Sequence, residues 1–304
     1  MDKKKDATID IKTGFQCNNY CVFCAQGNKR NFGRTQSTEE VKQILIKNRT
    51  DFDNVVLTGG EITIRNDVVE LVRFAKECGY KLIYIQTNGR MFSYMDFCKK
   101  IVEAGANHFS LSLHGSTSEI HDGLTRAPGS FNQTLQGINN LVELGQCVCI
   151  NTVVTKKTHT DMPNVSRLLS QLKVTSYQFS FMDINPVIEK NERMIEIIVP
   201  RYKEVRESIE KALQIGIDSN VRCKVESFPF CTLGEKYYTY IPGKRLSDYF
   251  VCDSGRIDNM NIIRKNRLKK QEEKCKQCKF YDRCEGPWTN YVEIFGFDEF
   301  NPVQ

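Results

Sequence analysis

Cys17, Cys21 and Cys24 stand at C-x3-C-x2-C spacing in the run Cys17-Asn18-Asn19-Tyr20-Cys21-Val22-Phe23-Cys24. Cysteine thiolates are the usual protein ligands of a cubane [4Fe–4S] cluster. Three of them leave one iron without a protein ligand. An iron with an open position can chelate a small molecule and act as a catalyst instead of an electron carrier. Two plainer readings stay open at this level, a zinc site and a disulfide pair. Structural zinc takes four ligands, often as two C-x2-C knuckles. Only half of that pattern is present, and the next cysteine is Cys78.

A second cysteine group, Cys275-x2-Cys278-x5-Cys284 with Cys231 upstream, could complete a closed four-cysteine site. Zinc is the alternative occupant there as well. Cys252 could replace Cys231 or add a ligand, whereas Cys78, Cys98, Cys147, Cys149 and Cys223 read as small buried apolar residues. Residues 1–6 are charged and no apolar stretch follows them, so they do not form a signal peptide. Thirteen cysteines without a secretion signal argue for reduced thiols, metal ligation and a cytoplasmic location. No apolar run reaches the roughly 18 residues of a membrane span. The net charge of +6 owes much to Arg264-Lys265-Asn266-Arg267-Leu268-Lys269-Lys270, read as a solvated helix face. No aromatic interleaving marks that stretch as a nucleic-acid platform.

These residues must be held by a scaffold. Short β-rich runs alternate with amphipathic stretches, the pattern of repeated βα units. Strands are predicted at residues 8–12, 54–58, 81–86, 108–113, 148–154 and 177–182. Helices are predicted at 38–48, 68–78, 94–104, 131–144, 162–172 and 201–214. Ser37 or Thr38 caps the first helix, with Glu39 and Glu40 in its first turn. Gly79, Gly105 and Gly145 are stop signals. Six parallel strands with outer helices predict an α/β fold, a partial (β/α)6 TIM-like barrel. Chemistry in such barrels sits at the C-terminal ends of the strands. The cysteine triplet follows the first strand, Thr58-Gly59-Gly60-Glu61 the second, Gln86-Thr87-Asn88-Gly89 the third and Ser112-Leu113-His114-Gly115 the fourth, while Asn151 lies in the fifth. All fall on one rim. Beyond residue 217 the pattern breaks down, which predicts a barrel over 1–217 and a smaller cysteine-rich module over 218–304.

The C-x3-C-x-aromatic-C loop, followed by Gly-Gly-Glu after the second strand, resembles the radical S-adenosylmethionine (radical SAM) superfamily. The resemblance implies that Cys17, Cys21 and Cys24 hold a [4Fe–4S] cluster whose open iron binds the amino and carboxylate groups of SAM. One electron from the reduced cluster then cleaves the C5′–S bond, and the resulting 5′-deoxyadenosyl radical takes a hydrogen atom from substrate. It further implies that Gly59, Gly60 and Glu61 hold the methionine end of SAM, that Phe23 lies near the adenine, and that Ser112 contacts SAM. The segment His121-Asp122-Gly123-Leu124-Thr125-Arg126 is similar to one in the peptide- and protein-modifying branch, which implies that Arg126 pairs with the SAM carboxylate; a guanidinium fork suits a carboxylate. Thr87, Asn88 and Asn151 are further polar candidates, with turn closure as the alternative role. His114 and His121 read as structural.

The C-terminal cysteine run followed by Gly286 resembles the SPASM/Twitch extension. No cysteine follows Cys284, so the pattern is short of the full form and implies one auxiliary [4Fe–4S] cluster on Cys231, Cys275, Cys278 and Cys284. The expected partners are an electron donor such as flavodoxin or ferredoxin and a substrate, either a peptide or a small-molecule metabolite. The sixteen residues before Cys17 are too few for a fused leader-binding domain, so a peptide would need a separate recognition protein or direct binding in the barrel. An iron–sulfur electron-transfer protein without SAM chemistry is the reading of another class.

Overall fold

The computed structural model describes residues 7–27, 29–244 and 249–304; the charged residues 1–6 lie outside these. The chain opens with β1 (Thr8–Lys12), α1 (Thr38–Asn48), β2 (Asn54–Thr58), α2 (Val68–Glu77), β3 (Leu82–Thr87), α3 (Met95–Ala104) and β4 (His108–Ser112). It continues through α4 (Ser118–Thr125), α5 (Ser130–Glu143), β5 (Cys147–Val154), α6 (Met162–Gln171), β6 (Ser176–Phe181), α7 (Tyr202–Asp218) and β7 (Arg222–Glu226). Strands β8 (Tyr249–Asp253) and β9 (Arg256–Asn259) and helix α8 (Thr289–Phe295) complete it. The fold is the expected α/β partial barrel. The six predicted strands and their helices lie where the sequence puts them, to within a residue at most ends.

One sheet runs in the order β7-β6-β5-β4-β3-β2-β1-β8-β9. All neighbours pair in parallel except the final β8–β9 hairpin. Three of these strands lie beyond residue 217. In particular, β8 returns to pair with β1 over its whole length, Thr8 opposite Tyr249 and Lys12 opposite Asp253.

Strands β3 to β6 alternate buried and partly exposed positions, whereas β2 is buried throughout. Ile9, Ile11, Val55, Leu57, Ile83, Ile85, Phe109, Leu111, Ile150 and Phe179 are buried in the core, the side on which parallel crossovers pack their helices. The opposite, concave face carries polar side chains that are only partly covered, among them Gln86, Ser110, Asn151, Gln178 and Ser180. α1 forms where its cap dictates: Ser37 Oγ accepts the Glu40 N–H, and Glu40 accepts the Ser37 N–H in return.

Of the basic run at 264–270, Lys265, Arg267 and Lys270 are exposed as expected of a solvated face, and Arg264 and Lys269 depart from it. Arg264 is buried and pairs with Glu226 (3.0 Å) and Glu285. Lys269 is buried with its ammonium 3.4 Å from the Trp288 ring centroid. A buried cation needs such partners. Trp288 in turn donates its indole N–H to the Phe181 carbonyl at the end of β6 (3.2 Å). Tyr291 and Phe300 pack edge-on against Tyr202 of α7. Among the described residues no helix is long and apolar enough to cross a membrane.

Candidate active site

The loop carrying Cys17, Cys21 and Cys24 leaves the C-terminal end of β1, and four other segments fix its course. Tyr20 and Val22 donate backbone N–H groups to the carbonyls of Thr125 (2.7 Å) and Leu124 (3.0 Å) at the end of α4. Arg90, just past β3, donates to the Asn18 carbonyl and to Asn19 Oδ1 (2.9 Å) while Gln133 Oε1 accepts its Nε–H (2.6 Å). Asn185, past β6, donates to the Cys24 carbonyl (3.0 Å). The fourth clamp is the Gly59-Gly60-Glu61 segment.

Burial pushes the Cys21 thiol up to about 12 and raises Cys17 as well, and neighbouring thiolate charge raises both further. A metal that takes such a group as ligand must displace its proton. The Asn19 N–H and, more weakly, the Asn88 side-chain amide already point at Cys17 Sγ, at 3.4 and 3.9 Å. Three thiols on one loop with amide donors at sulfur are a donor set suited to an iron–sulfur cluster.

Gly60 lies against the stem of the cysteine loop. A Cβ there would stand 2.3 Å from the Gln16 carbonyl oxygen and 2.4 Å from that of Phe15. Gly59, at φ +149°, meets the Gly14 carbonyl in the same way. The close approach lets Gly60 N–H reach the Gly14 carbonyl (2.8 Å) and Glu61 N–H the Gln16 carbonyl (2.7 Å). The Glu61 side chain is buried and takes four hydrogen bonds, from the Thr63 N–H (3.0 Å) and hydroxyl (2.6 Å), the Thr87 hydroxyl (2.6 Å) and the Asn88 N–H (2.6 Å). Burial pushes its carboxyl up, against four donors that favour the ionised form. Glu61 and Thr87 therefore tie the β2 and β3 ends together. Asn88 bonds the Asn18 side chain (2.7 Å) and so reaches the cysteine loop itself.

Ser112 and Asn151 face each other in register on β4 and β5. Asn151 Oδ1 accepts from Gln178 (2.9 Å) and Ser180 (2.6 Å), which orients it on the concave face. Arg126 caps α4 in the left-handed region (φ 53°), one residue beyond the carbonyl that holds Tyr20; its side chain is exposed. Asp122 works locally, accepting from Gly129, Ser130 and Phe131 at 2.7–2.8 Å to start α5.

Phe23 is buried edge-on against His114 (4.7 Å), which stacks on His121 (5.8 Å). Both imidazoles accept backbone N–H groups at Nδ1, His121 from His114 (3.0 Å) and His114 from Val153 (3.2 Å). They are structural. Burial holds both below the ordinary histidine value, His121 at about 4. The unfolded chain thus takes up protons that the fold refuses. Stability is full above about pH 6.5 and drains as pH falls toward 4, by roughly 3 kcal/mol for His121 alone. Urea midpoints at neutral pH and at about pH 5 should differ accordingly, and a pH-independent midpoint would contradict the neutral burial of the pair.

The second cysteine group also gathers. Cys231, Cys275, Cys278 and Cys284 line one small pocket, partly open to solvent, together with Phe230, Tyr281, Pro287 and Phe300. Burial pushes Cys231 up to about 12 and raises Cys284. Backbone N–H groups of Gly286 and Val303 point at Cys284 and Cys278 sulfur at 3.3 and 3.4 Å. Among the described residues no three His, Cys, Asp or Glu side chains converge as a single ion requires. Cys252 is not with them: it lies in β8, 1% exposed, opposite Ile11 of β1. Only Cys98 among the five supposed apolar cysteines is fully buried.

Sequence reasoning missed Arg90 and Asn185, whose partners lie about 70 and 160 residues away. The signal available for Arg90 was its place directly after Thr87-Asn88-Gly89. Arg90→Ala removes its three bonds and should cost about 1–3 kcal/mol. Urea midpoints would show the loss, and the reconstituted protein should release iron faster to a chelator.

The family model described as the Radical SAM superfamily matches residues 11–169. The chain is 28% identical over 233 residues to an Fe-coproporphyrin III synthase of Methanosarcina barkeri (strain Fusaro / DSM 804), covering 72% of this chain and 57% of the relative. It is 27% identical over 210 residues to a probable GTP 3′,8-cyclase of Saccharolobus islandicus (strain L.S.2.15 / Lassen #1), covering 68% and 65%. Neither match reaches two thirds of the relative's length. In fold the chain resembles native anSMEcpe with bound AdoMet and Kp18Cys peptide, at a TM-score of 0.71 and 17% identity over 94% of this chain and 90% of that one.

Proposed function

The chain belongs to the radical SAM superfamily of enzymes, and from that membership we propose that it abstracts a hydrogen atom from a peptide bound on the concave face of the barrel. The carrying observation is the three-thiol loop, pinned by Gly60, Arg90 and Thr125 at the rim that the concave face opens onto. Cys17, Cys21 and Cys24 would hold a [4Fe–4S] cluster, and with SAM bound this group supplies a carbon-centred radical. The residues of the chain do the rest. Gly59 and Gly60 let the β2 end pack against the backbone of residues 14–16 and so set the cysteine loop, Glu61 and Thr87 lock the rim, and Asn88, Ser112, Asn151 and Arg126 offer donors to the polar ends of SAM. Phe23 and the histidine stack behind it exclude water from the buried side of the loop.

The rim-side positions Thr58, Gln86, Ser112, Asn151 and Ser180 are neutral hydrogen-bonding groups, and Lys12 is neutralised by Asp10 at 2.9 Å. Such a face suits amides and hydroxyls better than a polyanion. Likeness in fold to a peptide-bound structure over 94% of the chain supports the same reading. A small-molecule substrate is the second reading, favoured by the names of the two curated relatives. Cys231, Cys275, Cys278 and Cys284 would hold one auxiliary cluster in the 218–304 module, able to take an electron from the substrate, and a cytoplasmic setting would keep all these thiols reduced.

The test is anaerobic. The reconstituted, reduced protein is given SAM, alone and with candidate peptides encoded by neighbouring genes, and 5′-deoxyadenosine is measured. Formation stimulated by peptide is expected. Stimulation by a metabolite alone would replace the peptide reading, and no 5′-deoxyadenosine with any substrate would leave an electron-transfer protein. Metal analysis tests the second site: about eight irons per chain are expected, whereas about four irons and one zinc would refute the auxiliary cluster.

A further inference from the structure

Asn290, the second residue of α8, stands where the C-terminal module meets the end of β6. Its side-chain amide donates to Asp183 Oδ1 at 3.1 Å and to the Ile184 carbonyl. Two positions earlier, Trp288 holds the Phe181 carbonyl. The next residue along that span is Asn185, which donates to the Cys24 carbonyl at 3.0 Å. The same carbonyl accepts the Gly27 N–H at 2.8 Å. A line of hydrogen bonds thus runs from α8 through residues 181–185 to the third cysteine of the triplet.

The orientation of Asn290 follows from its partners. A backbone carbonyl only accepts, so the NH2 end must face Ile184. Asn290 Oδ1 is then buried with no hydrogen-bond partner among the described residues. A bare buried amide oxygen costs stability, and an apolar side chain at this place would carry none. Such atoms are uncommon in folded proteins and call for a reason. Here the reason lies where the two donated bonds end, on the two residues directly ahead of Asn185.

Residues 182–185 belong to no strand or helix that could hold them. Met182, Ile184 and Asn185 are buried, and this packing sets how deep the span lies. Hydrogen bonds are directional, so they set which way its carbonyls and side chains point. We propose that Asn290 is a positioning residue for the cysteine triplet: by fixing Asp183 and Ile184 it aims the Asn185 amide at the Cys24 carbonyl, and so places the third sulfur. It acts only through Asn185. Its catalytic meaning rests on the reading of the triplet as cluster ligands; the relay itself belongs to the chain without metal.

Hydrogen exchange on the metal-free full chain, read by mass spectrometry, tests the relay directly. Amides of residues 21–27 should exchange about two- to tenfold faster in N290A, the range for hydrogen bonds lost at one place, while exchange in the other strands and helices stays close to the parent. Asn290→Asp, equal in size but an acceptor where a donor is needed, should do at least as much. N185A should match N290A, and the double variant N185A/N290A should exchange no faster than N185A, because both act through one bond. Unchanged exchange over residues 21–27, additive effects in the double variant, or a rise spread evenly over the chain would overturn the relay. In the reconstituted, reduced protein with SAM, the electron paramagnetic resonance spectrum should be altered alike in N290A and N185A; a spectrum identical to the parent's would overturn the positioning role. A parent that takes up no iron would sink the cluster assignment instead and leave the exchange result standing.

Discussion

Replacing Cys17, Cys21 and Cys24 together by alanine is expected to abolish 5′-deoxyadenosine formation and to lower iron by about four atoms per chain, leaving the content of the second site intact. The loop itself should survive. It is held by backbone bonds to Thr125 and Leu124 and by Arg90 and Asn185, none of which uses a sulfur. Thermal unfolding of the metal-free variant should therefore stay close to that of the metal-free parent. The comparison separates the two cysteine groups. If the triple variant lost all of its iron, the two groups would not be independent sites; if it still cleaved SAM, the assignment of the catalytic cysteines would fail. The complementary replacement of Cys231, Cys275, Cys278 and Cys284 should remove the other share of iron.

Gly60→Ala should be almost as damaging without removing a ligand. The added methyl would lie 2.3–2.4 Å from two carbonyl oxygens of the loop stem. Backbone cannot yield as a flexible side chain does, so residues 14–16 must move, and with them the bonds from Gly60 to Gly14 and from Glu61 to Gln16. Overpacking of this kind costs about 1–3 kcal/mol, and the displacement falls directly on the start of the cysteine loop. The expected result is poor cluster retention, read as iron content and visible absorbance, with a lowered urea midpoint. Normal iron content together with unimpaired SAM cleavage would show that this approach does not set the loop. Gly123, where a Cβ would meet nothing within 4 Å, is the matched control.

The role of the Gly-Gly-Glu segment shows how far the sequence could be read. Its position after the second strand was legible, because apolar alternation and glycine stops delimit β2 and α2 closely. The reason for the glycines, contact with the backbone of residues 14–16, was not, since nothing local in residues 58–61 reports what lies 45 positions upstream. Glu61 illustrates the same limit: a carboxylate after two glycines suggests a ligand contact, yet four donors from Thr63, Thr87 and Asn88 already occupy it. α4 escaped notice because Gly123 interrupts a segment with few apolar positions. Arg264 in the basic run misled for a physical reason, since charge alone does not disclose that Glu226 and Glu285 wait inside for it. The four C-terminal cysteines were legible as a group, while the burial of Cys252 in β8 depended on a pairing with β1 across some 240 residues.

That last pairing has a bearing on how the protein could be dissected or recombined. The strand feeding the cysteine triplet is sandwiched between β2 and a segment contributed from the far end of the polypeptide. Cutting the chain near residue 217 would strip β1 of one flank and leave a row of bare amides and carbonyls, inviting intermolecular sheet growth. The C-terminal portion is thus no detachable cassette. Chimeras that graft it from another protein would have to transplant β8 and its matching register together with the cysteines.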